Sequence, residues 1–305
     1  MKTHRQRGSA LLIALVAVAL ATVLAVGLLE RAQRAMARTE AVIAGERAYQ
    51  YALAMEALVK RTMERARAEG LDAALADGAW TAPFDVPGGQ VQGRLLDQQG
   101  RFNLNALASP EQALARRAES RLERLLDALG QPRAVAAELA DWIEGDAAIR
   151  SGSVGNFWYA AQQPPYRMAG LPLAHVSELR WLRSVDAAVY DALLPHVTAL
   201  PDRRLRVNVN TTTPEILASL VEGLDVESAR RVLADGPFSD AGQLGSHPLL
   251  AGQLSPDVER ELVVTSRWYL AQARVVLEGT ERDFFRLMAL DGPGYDFRYV
   301  SQGLP

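Results

Sequence analysis

The chain of 305 residues contains no cysteine. Disulfide staples, thiolate metal centres and a cysteine nucleophile are therefore excluded. Proline is missing from everything before Pro83, and between Ser9 and Glu69 glycine occurs only at 27 and 45. Nothing in that stretch breaks a helix. Charge is missing from residues 10–29, and the first acid is Glu30. A formal net charge of −3 provides no global basic field for nucleic acid. Hydrophobic content of 49% with 23% charged residues describes a folded body and not a disordered one.

The uncharged run follows Lys2, Arg5 and Arg7. About twenty residues at ~1.5 Å each reach ~30 Å, enough to cross a hydrocarbon core. The basic leader predicts a cytoplasmic N-terminus, with the remainder delivered across the membrane. Three readings of the run are open. It is longer than the apolar core of a secretory signal peptide. It suits a plain anchor. Its near side, Arg7-Gly8-Ser9, also places a glycine at the junction of basic leader and apolar helix, and this resembles the leader of type IV pilins and type II secretion pseudopilins. That resemblance implies cleavage by a prepilin peptidase between Gly8 and Ser9 and methylation of the new N-terminus.

Beyond residue 29 the chain becomes amphipathic. Tyr51, Met55, Leu58 and Val59 recur at helical steps and form a packing stripe. Arg34, Arg38, Glu40, Glu46 and Arg47 read as a solvated face. Residues 9–69 thus read as one helix, stopped at Glu69-Gly70. Residues 90–97 and 100–107 alternate around Gln98-Gln99-Gly100 and read as a β-hairpin. Residues 109–200 are mostly helical, with a loop over 145–168. Residues 204–210 alternate as a strand, and Thr213-Pro214-Glu215 opens a helix. Two strands, 269–277 and 284–290, flank Glu278-Gly279-Thr280, and 295–300 supplies a third. The order defines an α+β fold.

Several segments resemble, in order, the K-type minor pseudopilins of the type II secretion system. They are GRFNLNAL (100–107), LADWIEGD (139–146), PPYRMAGLPLAHVSELRWL (164–182), YDALLPHVTALP (190–201), RVNVNTTTPEIL (206–217) and SRWYLAQARV (266–275). The resemblance implies a pilin-like fold with a large inserted helical domain containing a SAM-like part. In these terms 1–8 is the leader, 9–29 the transmembrane segment and 30–69 the periplasmic half of the helix. Residues 70–108 and 201–305 form the head, with a helical hairpin at 211–244, and 109–200 form the insertion. It also implies a place at the tip of a periplasmic fibre with the minor pseudopilins of types I and J, carried by the inner-membrane secretion platform. Localisation would be single-pass in the inner membrane, with the C-terminal domain periplasmic. Major pilins carry a glutamate as the fifth mature residue. Here that position is Ile13, so this helix has no carboxylate to offer a neighbour's amine in hydrocarbon.

The family's calcium pattern is half present. Asp141, Glu144 and Asp146 match it, but the second half reads Ser153-Val154-Gly155-Asn156, leaving Asn156 and backbone carbonyls to complete a calcium site. The alternative is a polar helix end followed by a loop. Residues 207–244 also resemble a helix-hairpin-helix unit, which opens a DNA-binding reading. Its turn, Glu222-Gly223-Leu224-Asp225, carries two carboxylates, and Arg230 and Arg231 alone do not make a basic patch. A periplasmic enzyme is the third reading. No H-E-x-x-H, P-loop or G-x-S-x-G is present, and His4, His175, His196 and His247 lack metal-ligand spacing. His175 and His196 read as capping or packing residues. Trp142, Trp158, Tyr159, Tyr166 and Trp181 read as packing around the long loop.

Overall fold

The structure, a computed structural model, describes residues 7–69, 76–145, 150–291 and 294–302. Helix α1 (Arg7–Ala68) is unbroken over 62 residues, about 93 Å at ~1.5 Å per residue. Neither Gly27 nor Gly45 interrupts it. Arg65 and Arg67 in its last turn complement the helix dipole. Its apolar N-terminal part is long enough to cross a membrane, and none of that window is buried within the protein.

The other end of α1 lies on a five-stranded antiparallel sheet. Its strands are β1 (Phe84–Val86), β2 (Gly89–Asp97), β7 (Trp268–Leu277), β8 (Thr280–Asp291) and β9 (Gly294–Gln302). They stand side by side in the order β1-β2-β7-β8-β9. The expected C-terminal strands are all present, and Glu278 and Gly279 turn β7 into β8 with positive φ at both positions. The buried stripe of α1 is Ala48, Ala52, Met55, Met63 and Ala66. Tyr51 and Val59 pack partly against the same cores, while Leu58 stays largely exposed. Small alanines let the helix backbone approach the strands. Met55 sits so close that a Cβ on Gly93 would meet its Cε at 2.6 Å.

The expected hairpin over residues 90–107 does not form. β2 pairs with β1 and β7 instead. Strand β3 (Phe102–Asn103) is two residues long and runs parallel to β4 (Val197–Thr198). The reason is side-chain competition with the ladder. Asn103 Oδ1 accepts from the Asn105 and Leu200 amides, and the chain turns at once into a 3-10 helix, Leu104–Ala108. Likewise the strand expected at 204–210 is only β5 (Val207–Asn208), parallel to β6 (Leu262–Val263).

Between β2 and β7 lies one large insertion. It holds α2 (Gln112–Ala128), α3 (Ala134–Glu144), α4 (Gly155–Ala160), a 3-10 turn Val176–Trp181 and α5 (Ala187–Leu193). Then follow α6 (Pro214–Leu220), α7 (Val226–Ala234), α8 (Ala241–Gly245) and α9 (Pro256–Glu261). Its apolar side chains form one core from Phe102 to Leu262, separate from the two clusters between α1 and the sheet. Residues 211–244, read from the sequence as part of the head, therefore pack with the insertion. α6 shares that core with α2 and α3 through Ile216, Leu217 and Leu220.

Candidate functional site

Two N-x-N segments organise the insertion: Asn103 and Asn105 tie its own loops together, and Asn208 fastens it to the sheet. Buried Asn105 donates to the carbonyls of Leu173 and Leu200, 2.9 Å each, and accepts from the Leu173 amide at 2.7 Å. Asn208 donates to Asp97 Oδ2 at 2.9 Å and to Ser266 Oγ at 2.8 Å. Asp97, at the end of β2, also accepts from the Thr211 and Ser266 hydroxyls at 2.6 Å and from the Gln99 amide at 2.7 Å. One carboxylate thus joins β2, the start of α6 and the entrance to β7. Gly100 completes the junction, since a Cβ there would meet the Thr211 carbonyl oxygen at 2.5 Å. None of these residues stands out as a site in the sequence. The available signal is a set of asparagines alternating with apolar residues in two short segments.

At the far end of α3, the calcium-site residues separate into three groups. Asp146 lies outside the described residues. Asp141 and Glu144 come together, about one helical turn apart, and Glu119 of α2 joins them. Asn156 is engaged elsewhere, accepting from the Met168 amide at 2.9 Å. What the three carboxylates hold is Arg150. Its Nη1 donates to Asp141 Oδ1 at 2.7 Å, its Nη2 to Glu144 Oε1 at 2.7 Å, and its Nε lies 3.1 Å from Glu119 Oε1. Its backbone amide donates to Asp141 Oδ2 at 2.9 Å. Asp141 is fully buried with both oxygens satisfied. Hydrogen bonding to Glu144, helped by Asp141, raises the Arg150 pKa against the lowering effect of burial, and burial raises that of Glu119. Among the described residues no three His, Cys, Asp or Glu side chains are grouped to hold a metal ion.

The loop beyond packs on an aromatic stack. Tyr159, fully buried, meets Trp142, Trp158 and Tyr166 at centroid distances of 5.5, 5.1 and 5.3 Å. Tyr166 continues to Trp181 at 5.1 Å, and Trp181 is half exposed. Burial, more than the nearby Glu138, pushes the Tyr159 hydroxyl well above its usual pKa. His175 caps the 3-10 turn Val176–Trp181 in a reciprocal arrangement with Glu178. The His175 Nδ1 accepts from the Ser177 amide at 3.2 Å, and Glu178 Oε1 accepts from the His175 amide at 3.3 Å. His196 Nδ1 lies 3.0 Å from Thr213 Oγ1.

In the helical hairpin, Gly223 takes positive φ. Asp225 caps α7 by accepting from the Ser228 amide at 2.8 Å. That bond lowers the Asp225 pKa. Arg230 faces Glu227 at 3.4 Å and Arg231 donates to Ser228 at 3.2 Å. The hairpin's two arginines are thus engaged within it.

At the N-terminal end of α1, the backbone of Gly8 and Ser9 is helical, and the Ile13 side chain is exposed. A long helix, apolar at its start and packed at its end on a small antiparallel sheet, defines a pilin-like protein with a large helical insertion. Comparison with known proteins gives the family. Residues 100–202 and 207–265 match two models for the type II secretion system protein K, together more than half of the chain. Type II secretion system protein K of Klebsiella pneumoniae is 34% identical, with 90% of this chain and 89% of that protein covered. The protein K of Pectobacterium carotovorum is 28% identical, with 94% of each covered. The crystal structure of the GspK-GspI-GspJ complex from enterotoxigenic Escherichia coli contains a chain that superposes with a TM-score of 0.73 at 26% identity. That match covers 88% of this chain and all of that one. The chain belongs to the type II secretion system protein K family.

Proposed function

We propose that this protein is a minor pseudopilin at the tip of the type II secretion fibre, joined there by the I- and J-type pseudopilins. In this role it takes part in moving folded proteins across the outer membrane. The observation that carries the reading is the continuity of α1, a membrane-length apolar segment fused without a break to a helix seated on the head. Its work is assembly and not catalysis. The leader ahead of Ser9 is removed by the prepilin peptidase, and Ser9 is methylated. The helix then sits in the inner membrane, N-terminus cytoplasmic and head periplasmic, until the secretion platform lifts it out. Ile13 supports the terminal position. A subunit without a carboxylate there can offer its own amine to a neighbour's glutamate but cannot receive one, because an unpaired charge in hydrocarbon costs several kcal/mol. The bulk of the insertion between β2 and β7 is also easier to accommodate at a tip than inside a fibre.

Mass spectrometry of the mature N-terminus tests this reading. The expected product begins at Ser9 and carries one N-methyl group. A product beginning beyond residue 29, or an intact Met1, contradicts it.

A further inference from the structure

We propose that Arg150 is the resident cation at the end of α3, and that this insertion folds without calcium. The proposal rests on the geometry of the cluster and is independent of the protein's place in the fibre. Asp141 and Glu144 of α3 and Glu119 of α2 each face a different nitrogen of one guanidinium, at 2.7, 2.7 and 3.1 Å. Nη1 is shared, lying also 3.0 Å from Glu144 Oε2. This is the planar fork that arginine offers and a metal does not. Calcium gathers six to eight oxygens on a sphere of about 2.3–2.6 Å radius. Here the carboxylates are spread along the edges of a plane.

The backbone around the cluster agrees. α3 ends at Gly145, whose φ of 77° lies in the left-handed region that glycine alone enters freely. The Gly145 amide closes on the Asp141 carbonyl at 2.8 Å. The chain then comes back so that the Arg150 amide meets Asp141 Oδ2. Asp141 therefore holds the chain on both sides, leaving by its carbonyl and returning by its carboxylate, whose second oxygen binds the Arg150 side chain. The segment ahead of the 3-10 turn lies beside it. Gly170, whose amide donates to the Trp142 carbonyl at 2.9 Å, leaves only 3.3 Å between its Cα and a Cβ built on Gly145. Asn156, the remaining residue of the calcium pattern, is tied to a different segment, its Oδ1 accepting from the Met168 amide at 2.9 Å.

The consequence differs from that of a metal site. A bound ion comes and goes with its concentration, whereas Arg150 is present whenever the chain is folded. Replacing it leaves buried Asp141 charged and unpaired, which is among the costly changes a fold can suffer.

Thermal unfolding of the full chain in neutral detergent, followed by tryptophan fluorescence, provides the test. The wild-type melting temperature should be the same, within about 1 °C, in millimolar calcium and in excess EDTA. R150M should melt roughly 10 °C lower, in both conditions. R150K keeps the charge but not the fork, and should fall between the two. If R150M does not fold, R150K alone carries the test, and a melting temperature equal to wild type overturns the proposal. A rise of several degrees with calcium in the wild type, or a fall with EDTA, overturns it as well.

Discussion

Arg286 of β8 donates from Nε to Glu56 Oε2 of α1 at 2.8 Å, across the interface between the long helix and the sheet. The guanidinium side chain is only 6% exposed, and its Nη1 also donates to the Phe285 carbonyl. This pair adds a polar tie to the apolar packing of Ala48, Ala52, Met55 and Met63 between the long helix and the sheet.

Removing Glu56 should therefore be costly. E56A leaves Arg286 buried without its anion and is expected to lose about 3 kcal/mol of head stability. A double variant with leucine at both positions should recover most of that loss, because an apolar pair of similar bulk needs no partner. Urea denaturation of the three proteins checks both statements.

Asp97 collects donors from Asn208, Thr211, Ser266 and the Gln99 amide. D97A strands all of them and should cost about 3 kcal/mol. S266A added to D97A should cost less than the sum of the separate losses, since the two share one network. The same urea measurement reports the coupling.

Gly100 faces the Thr211 backbone so closely that no methyl group fits. G100A must push the start of α6 away from β2, at an expected cost of about 1–3 kcal/mol. Because the displaced segment is backbone, neighbouring rotamers cannot absorb the change. Hydrogen exchange should show the loss first at the Asn208 amide, which donates to the Gln99 carbonyl at 2.8 Å.

The insertion should also weaken on mild acidification. Burial holds the pKa values of His175 and His196 below the ordinary 6.5, with Glu178 and Glu215 opposing the shift. The unfolded chain then binds more protons as pH falls through about 6.5, so the stability these residues contribute is present above that value and lost below it. Protonation at Nδ1 also removes the acceptor by which His175 caps its turn. Melting temperatures at pH 7.5 and 5.5 should differ more in the wild type than in the H175N/H196N variant, since asparagine can cap without titrating.

Much of the fold is legible where one period dominates. The absence of breakers reveals α1, and the alternation on either side of Glu278-Gly279-Thr280 reveals β7 and β8. The hairpin expected at 90–107 fails because alternation of Phe102, Leu104 and Ala106 looks the same whether the intervening asparagines face solvent or bind backbone. The expected packing stripe of α1 leans toward its larger side chains. Ala48, Ala52 and Ala66 carry little hydrophobic signal, yet they are what allows the sheet to come close. In the candidate site, the acids Asp141 and Glu144 are visible through the resemblance to the family's calcium pattern. Their cation is not, since Arg150 stands beyond the helix and only the return of the chain brings it to them.

If this chain joins the I- and J-type pseudopilins as the end of a fibre, the three should form a closed assembly. The most direct measurement is co-expression of the full-length chain with the I and J proteins of the same secretion system, followed by detergent extraction and light scattering on a sizing column. One complex containing a single copy of each is expected. Elution of this chain apart from an intact I–J pair, or as a self-propagating polymer, would contradict its place at the tip.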